Sequence, residues 1–359
     1  DRLFRAFQLI MGPVKGSLYL VVLLTATVFA AATGIIGASV TVIGLLAAPV
    51  MLRAKYDPRM SAGVITAGGT LGILIPPSVM LVLMGPVMGV SVVKLYAAAI
   101  LPGLLLSAIY IIYSFVRSYL NPKLGPPLPV EERASSSREI IRELAIGIIP
   151  ASLLILATLG SILFGLATPT EAAAMGAFGA LILALVYRQF DLNKLKESVY
   201  LTLETSSMIL FLGVAANIYA SVFSRLGTGV WITETMLSLP LSTELMILLL
   251  MALLFILGWP LEWPAIVLIF LPIILPVVEA MKVDLIWFGI LVAVNLQTAF
   301  LSPPVAMAAY YLKGVAPEYD LKDIYIGMLQ FMVLQVIGLA IVFLFPEVAL
   351  WLPRVMGGK

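Results

Sequence analysis

The residues with the chemistry to hold a small solute gather around two proline pairs. Pro76 and Pro77 close the stretch GTLGILIPPS (69–78), and Pro303 and Pro304 lie in NLQTAFLSPPV (295–305). Thr70, Thr298 and Ser302 bring hydroxyls to these stretches, Asn295 and Gln297 bring amides, and Gly72 leaves backbone open. Two further stretches carry the same kinds of group: TGIIGAS (33–39), with Gly34, Gly37 and Ser39, and LGWPLEWP (257–264), with Gly258 and Glu262. Neutral hydroxyl and carbonyl oxygens suit a hard cation such as Na⁺. Exposed backbone amides at a helix N-terminus suit an anion. No Lys or Arg adjoins either proline pair, Lys94 and Lys313 being the nearest in sequence, so an anion here would rest on helix termini and polar side chains.

Other chemistry is absent. The 359 residues contain no Cys, which removes disulfides, thiolate metal sites and a Cys nucleophile. They contain no His, which removes His-based triads, imidazole ligands and the ordinary pH switch. The net charge of +2 argues against nucleic acid as a partner.

The elements that must position these residues lie in a bilayer. The chain is 62% hydrophobic and only 11% charged, with mean hydropathy +1.12, whereas a soluble domain is about 25% charged. Apolar runs of spanning length occur at 17–33, continuing past a Gly-rich break to 52, and at 95–116, 143–165, 169–187 and 199–223. Two more follow at 244–258, continuing past a break to 280, and at 322–345. The segments 61–90 and 284–313 carry the proline pairs in their middles. The stretch 224–244 reads as an interfacial amphipathic helix, 121–139 as a polar loop, and Asp191 as a helix cap. The chain opens on Asp1 with an amphipathic lead-in, DRLFRAFQLI, and the natural N-terminus is expected upstream of it.

Proline inside a helix removes a donor and costs about 3 kcal/mol. Two consecutive prolines at membrane depth are tolerable at the tip of a re-entrant hairpin, where two half-helices meet and protein or a water-filled cavity surrounds the tip. On this reading each proline pair starts the outgoing half-helix. That places free amides at Ser78, Val79, Val305 and Ala306, with Pro303 and Pro304, toward an anionic substrate. The competing reading of each pair is a simple helix kink.

The unit occurs twice. Pro49 and Pro276 are 276 − 49 = 227 apart, and Pro76 and Pro303 are 303 − 76 = 227 apart, as are Pro77 and Pro304. With four spans between them, the two units take opposite topology, the pattern of secondary transporters with discontinuous helices and a midplane site. The fold class expected is therefore an all-α polytopic membrane protein with inverted repeats, broken helices and two re-entrant helical hairpins. Candidate cation ligands are Gly34, Gly37, Ser39, Thr70, Gly72, Gly258, Glu262, Thr298 and Ser302. Candidate substrate contacts are Ser78, Asn295, Gln297, Pro303, Pro304 and Val305. Glu262 reads equally as a cation ligand or a plain interfacial residue, Glu171 as a capping carboxylate, and Glu204 and Asn217 as glue between helices.

Three stretches, GTLGILIPPS, ATPTEAAAMGAFGAL and WFGILVAVNLQTAFLSPPVAMAAYYLKGVAP, resemble the large membrane subunit of tripartite ATP-independent periplasmic (TRAP) transporters, the DctM-like permeases. The resemblance runs in order over nearly the whole chain to the closing FPEVALWLP. It implies Na⁺-driven uptake of a small organic acid, such as a C4-dicarboxylate, sialic acid or a keto acid, with no ATP and no covalent cofactor. It implies two partners, a periplasmic binding protein and a small four-helix membrane subunit, in the inner membrane of a bacterium or archaeon. It implies an elevator, in which the body holding both hairpins (17–93 and 244–319) slides against a scaffold (1–16 and 143–243), with 94–142 and 320–359 contributing further spans. Two departures stand out. Family chains carry about three more hydrophobic segments ahead of the stretch matching residues 1–16. Many also read GISGSAVAD where this chain has GIIGASVTV, so an acidic residue is missing while Ser39 and Thr41 keep their hydroxyls. The variant stands closer to the mannitol/chloroaromatic-type cluster. Counting Lys and Arg places the 117–142 and 188–196 connections in the cytoplasm, whereas the resemblance places the opening of the first hairpin there. The rival functions are a stand-alone Na⁺/dicarboxylate symporter of similar fold, an intramembrane enzyme and a channel.

Overall fold

The computed structural model describes residues 2–11, 14–127 and 137–357. Asp1 and the centre of the expected polar loop, 128–136 with Arg133, lie outside the described residues. The regular structure is helical throughout the described residues, and 7 helices are long and apolar enough to cross a membrane. A short α1 (Arg2–Met11) leads into α2 (Ser17–Thr33) and α3 (Ile36–Arg53), the two halves of the first broken helix. The first hairpin is α4 (Pro58–Thr70) and α5 (Val79–Met88), followed by the long α6 (Val92–Leu120). Then come α7 (Ser137–Ile155), which runs on through a π-turn to Leu163, α8 (Pro169–Val186), α9 (Leu192–Arg225) and α10 (Thr228–Leu237). The second broken helix is α11 (Thr243–Leu257) and a half that starts at Trp263 and ends as α12 (Leu271–Ala280). The second hairpin is α13 (Leu285–Ala299) and α14 (Met307–Val315), and α15 (Leu321–Leu344) and α16 (Glu347–Gly357) close the chain.

The repeat read from prolines extends to helix boundaries. The half-helix Ile36–Arg53 maps onto Trp263–Ala280 at both ends, since 263 − 36 = 227 and 280 − 53 = 227. The caps repeat at the same offset. Asp57 caps α4 by accepting from the Met60 amide. Its equivalent Asp284 (284 − 57 = 227) caps α13 by accepting from Ile286 and Trp287. Helix α6 follows Ser91 and α15 follows Asp320, an offset only slightly longer. At a rise of 1.5 Å per residue, the hairpin arms of 13, 10, 15 and 9 residues are roughly 13–23 Å long, short of a bilayer core of about 30 Å.

One apolar core joins α2–α6 with α11–α15. Close approach within it rests on small residues, as in other membrane helix pairs. A Cβ at Gly327 on α15 would lie 1.9 Å from the Arg59 carbonyl oxygen, and one at Gly63 on α4 would lie 2.6 Å from the Gly327 carbonyl. The two backbones therefore touch, and the Arg59–Asp323 ion pair, 2.7 Å, sits at the same crossing. Helices α8 and α9 are different: only 6% of either apolar window is buried, against 56% for α6. Glu204 and Asn217 are exposed on α9 and glue no helices of this chain together. The interfacial stretch reduces to the ten-residue α10. Glu171 behaves as the capping reading expected: it forms a capping box with Thr168 at the start of α8. Asp191 likewise caps α9, accepting from Asn193.

Gly327→Ala is expected to cost about 1–3 kcal/mol or more by overpacking, and to lower the thermal unfolding midpoint in detergent. Gly314→Ala, where a Cβ meets nothing within 4 Å, leaves the midpoint unchanged or raises it. Equal responses would show that the α4–α15 contact is not backbone to backbone.

Candidate functional site

Both half-helix breaks and both hairpin tips converge on one cavity of about 180 Å³. The first break contributes Gly34–Gly37, the first hairpin Ile73 and Val79, the second break Glu262–Pro264, and the second hairpin Phe300 and Tyr311. Thr205, Met208 and Ile209 of α9 close it from outside. Among the described residues Glu262 is the single ionisable carboxylate in this lining, and none is Lys or Arg.

The first break exists because α2 ends on Gly34 in the left-handed region, φ 62°, and Ile35 restarts the chain as extended backbone. A Cβ at Gly34 would stand 2.8 Å from the Pro77 carbonyl oxygen, so the break lies directly on the first hairpin tip. Beside it the Thr33 and Ser39 hydroxyls share a hydrogen bond of 2.7 Å across the break. A Cβ at Gly72 would come within 3.1 Å of Ser39 Oγ, so the two hydroxyls and the single 3₁₀ turn Leu71–Ile73 form one small cluster of oxygens. The first hairpin tip is held from two sides. Ser78 Oγ donates to the Ile73 carbonyl and accepts from the Leu81 amide, capping α5, while the Tyr96 hydroxyl donates to the Ser78 carbonyl.

The second break pairs with the second hairpin in the same way. A Cβ at Gly258 would meet Ala299 at 2.9 Å. A smaller recess of about 40 Å³, between Gly258–Trp263 and Ala299, Phe300, Val305 and Met307, opens beside the cavity, and Glu262 borders both. Glu262 precedes the short helical turn at Trp263 without capping it. At the tip, Thr298 Oγ1 donates to the Asn295 carbonyl and Ser302 Oγ to the Thr298 carbonyl. Their protons are committed, and each oxygen keeps lone pairs. Ala306 precedes α14 with φ 44°, an unusual value for a residue with a Cβ.

Two expectations change. Neither proline pair starts an outgoing half-helix: α5 begins at Val79 behind a Ser78 cap and α14 at Met307 behind Ala306. The prolines instead form the turn before each cap, and both Pro–Pro peptide bonds are cis. The free amides at the starts of α5 and α14 accordingly begin one or more residues later than Ser78 and Val305. The fifteen candidate residues also divide. Gly34, Gly37 and Glu262 line the cavity; Gly258 and Val305 line the recess; Ser39 and Gly72 form the oxygen cluster behind the first break. Pro303 and Pro304 are exposed at the tip, and Ser78, Thr298 and Ser302 are buried in the tips. Three lie elsewhere. Asn295 Nδ2 donates to the Met251 carbonyl and ties α13 to α11, while Gln297 Nε2 donates to the carbonyl of Thr70 inside the core. Sequence reasoning missed the aromatic wall, Trp263, Phe300 and Tyr311. Tyr311 packs against Gly37, 3.1 Å from where a Cβ would stand, and only that long-range contact identifies it.

The family model described as "Tripartite ATP-independent periplasmic transporter, DctM component" matches residues 1–348. The C4-dicarboxylate TRAP transporter large permease of Pseudomonas aeruginosa is 31% identical over 354 residues, covering 97% of this chain and 80% of the relative. The sialic acid TRAP transporter large permease of Vibrio cholerae is 28% identical over 363 residues, covering 100% and 82%. The isethionate TRAP transporter permease protein DctMQ of Oleidesulfovibrio alaskensis is 30% identical over 317 residues, covering 88% of this chain and 49% of that one.

Gly34→Ala and Gly89→Ala both place a Cβ at a left-handed φ, but only Gly34 faces backbone, Gly89 having nothing within 4 Å. Gly34→Ala is expected to lower the unfolding midpoint clearly further than Gly89→Ala. Equal losses would mean that the first break does not bear on the hairpin tip.

Proposed function

The chain belongs to the DctM family of TRAP transporter large permeases, and on that premise we propose that it carries a small organic acid across the inner membrane by Na⁺ symport. The acid is delivered by a periplasmic binding protein, and a small membrane subunit braces the permease. The observation that carries this reading is the convergence of two helix breaks and two hairpin tips on one cavity with, among the described residues, a single carboxylate and no basic side chain. Relatives named for C4-dicarboxylate, isethionate, 2,3-diketo-L-gulonate and sialic acid support the acid class and leave its member open.

A site of this make-up asks for a cation. Neutral oxygens at Thr33, Ser39 and the Gly34–Gly37 backbone suit Na⁺ behind the first break. Glu262, Gly258 and the lone pairs of Thr298 and Ser302 suit it near the second. Among the described residues no three acidic side chains gather, which favours a monovalent ion over a divalent one. The acid would face the N-termini of α5 and α14 and the tip at Pro303–Val305, with the aromatic wall on its apolar part. The inverted orientation of the two repeats is part of the proposal. So is an elevator motion, with the jointly packed broken helices and hairpins as the moving body and α7–α10 as its support. The shared core of the former and the exposure of α8 and α9 support that division.

Uptake of radiolabelled organic acids into proteoliposomes holding the full-length permease and its small partner tests the proposal. Transport is expected to need both a Na⁺ gradient and the cognate binding protein. Uptake on the Na⁺ gradient alone would make the chain a stand-alone symporter. Ser39→Ala and Thr298→Ala are each expected to raise the Na⁺ concentration for half-maximal uptake several-fold, and unchanged values in both would remove these residues from the cation sites.

A further inference from the structure

Four helices meet at a polar node inside the otherwise apolar core. Thr70 ends α4, Tyr110 lies on α6, Gln297 on α13 and Gln335 on α15, and all four are fully buried. Gln297 Nε2 donates to the Thr70 carbonyl at 3.1 Å, and Gln335 Nε2 donates to Thr70 Oγ1 at 3.1 Å. The network settles which way both amides point. A backbone carbonyl only accepts, so Gln297 presents its nitrogen to Thr70. The one proton of Thr70 Oγ1 is committed to the Ala67 carbonyl at 2.8 Å, so that oxygen accepts and Gln335 also presents nitrogen. Both Oε1 atoms are left over by these bonds, and among the described residues neither has a protein partner. The Tyr110 hydroxyl lies beside Gln335 and Thr70 without hydrogen-bonding geometry to either, and it too has no protein partner.

The node thus offers two acceptors and one donor. One water molecule is their complement: it gives one proton to each Oε1 and accepts the Tyr110 proton. A cation matches the inventory less well. It would take the three oxygens, too few for a hard ion's shell, and would leave the Tyr110 proton without an acceptor. Position adds meaning. Thr70 and Gln297 occupy equivalent positions of the two repeats (297 − 70 = 227), so these counterparts touch where the two halves meet. From this we infer that Thr70, Tyr110, Gln297 and Gln335 form a binding site for a single structural water. It ties the ingoing arms of both hairpins to α6 and α15 and holds the two tips in fixed register.

The test is a structure of the full-length permease with its small partner at a resolution that shows ordered water, determined once in Na⁺ and once with Na⁺ replaced by choline. One peak within hydrogen-bonding distance of Gln297 Oε1, Gln335 Oε1 and Tyr110 Oη is expected in both. A peak in Na⁺ alone would make the node a cation site, and no peak in either would overturn the inference. Thermal unfolding supplies an independent sign. A buried hydroxyl with no partner is a liability, so Tyr110→Phe would raise the midpoint if the site were dry. With the water in place the variant is expected to lower the midpoint by about 2–4 °C. Ser114→Ala, which removes another partnerless buried hydroxyl of α6, is expected to leave the midpoint unchanged or higher. A midpoint that rises or stays level in Tyr110→Phe would overturn the inference.

Discussion

The constraint on which this molecule turns is that backbone polar groups at bilayer depth have no water to fall back on. A hairpin tip or a helix break exposes several such groups, so each must be covered by another part of the chain. Here each break covers a tip. Gly34 lies against the Pro77 carbonyl, and Gly258 against Ala299. The tips then use their own side chains: Ser78 spans its turn from the Ile73 carbonyl to the Leu81 amide, and Ser302 reaches back to the Thr298 carbonyl. The irregular backbone of both breaks and both tips is thus gathered in one place, around the cavity.

Duplication explains why the solution appears twice, and divergence explains why the two copies differ in chemistry. The half-helices after the breaks and the Asp caps of the two hairpins recur at the same offset, because they are set by local backbone requirements that both halves share. Side chains at the breaks do not recur. The first has Thr33 and Ser39 hydrogen-bonded across it, and the second has Glu262, whose counterpart is Ile35 (262 − 35 = 227). Equal geometry with unequal side chains sets a neutral first break, with its hydroxyl pair behind it, across the cavity from a second break that brings Glu262.

Much of this was legible in the sequence because it is local. Asp191 and Glu171 beside Thr168 read as short-range caps and are so, and the breaks follow from Gly and Pro; the caps at Asp57 and Asp284 are equally local and went unread. The proline pairs were legible as tips, but their register was not. Proline at a helix start is common, yet Ser78 is the stronger cap and claims that position for itself. What could not be read is what depends on contact across the molecule. Gln297 looked like a site residue from its distance to the tip. Helical rotation turns it instead into the core toward Thr70, and the same rotation sends Asn295 to Met251. Tyr311 lies beyond the second proline pair, and it belongs to the site because Gly37 leaves room for its ring, a contact across the molecule.

That no described residue around the cavity is basic bears on how such a permease would work. An anion held by helix N-termini and neutral donors gains less than one paired with Arg, since a helix terminus carries only about half a charge. Glu262 weakens it further unless a cation lies between them. On the proposed reading, cation and acid are then bound together or poorly. The cation screens Glu262 and offers the acid its missing counter-charge, and either one alone faces an unfavourable field in a site of low dielectric. Weak binding of the unaccompanied acid would also suit release, because a site that grips an anion tightly cannot give it up on the far side. Coupling, on this argument, lies less in any single ligand than in the sign of the charge that the cavity leaves uncompensated.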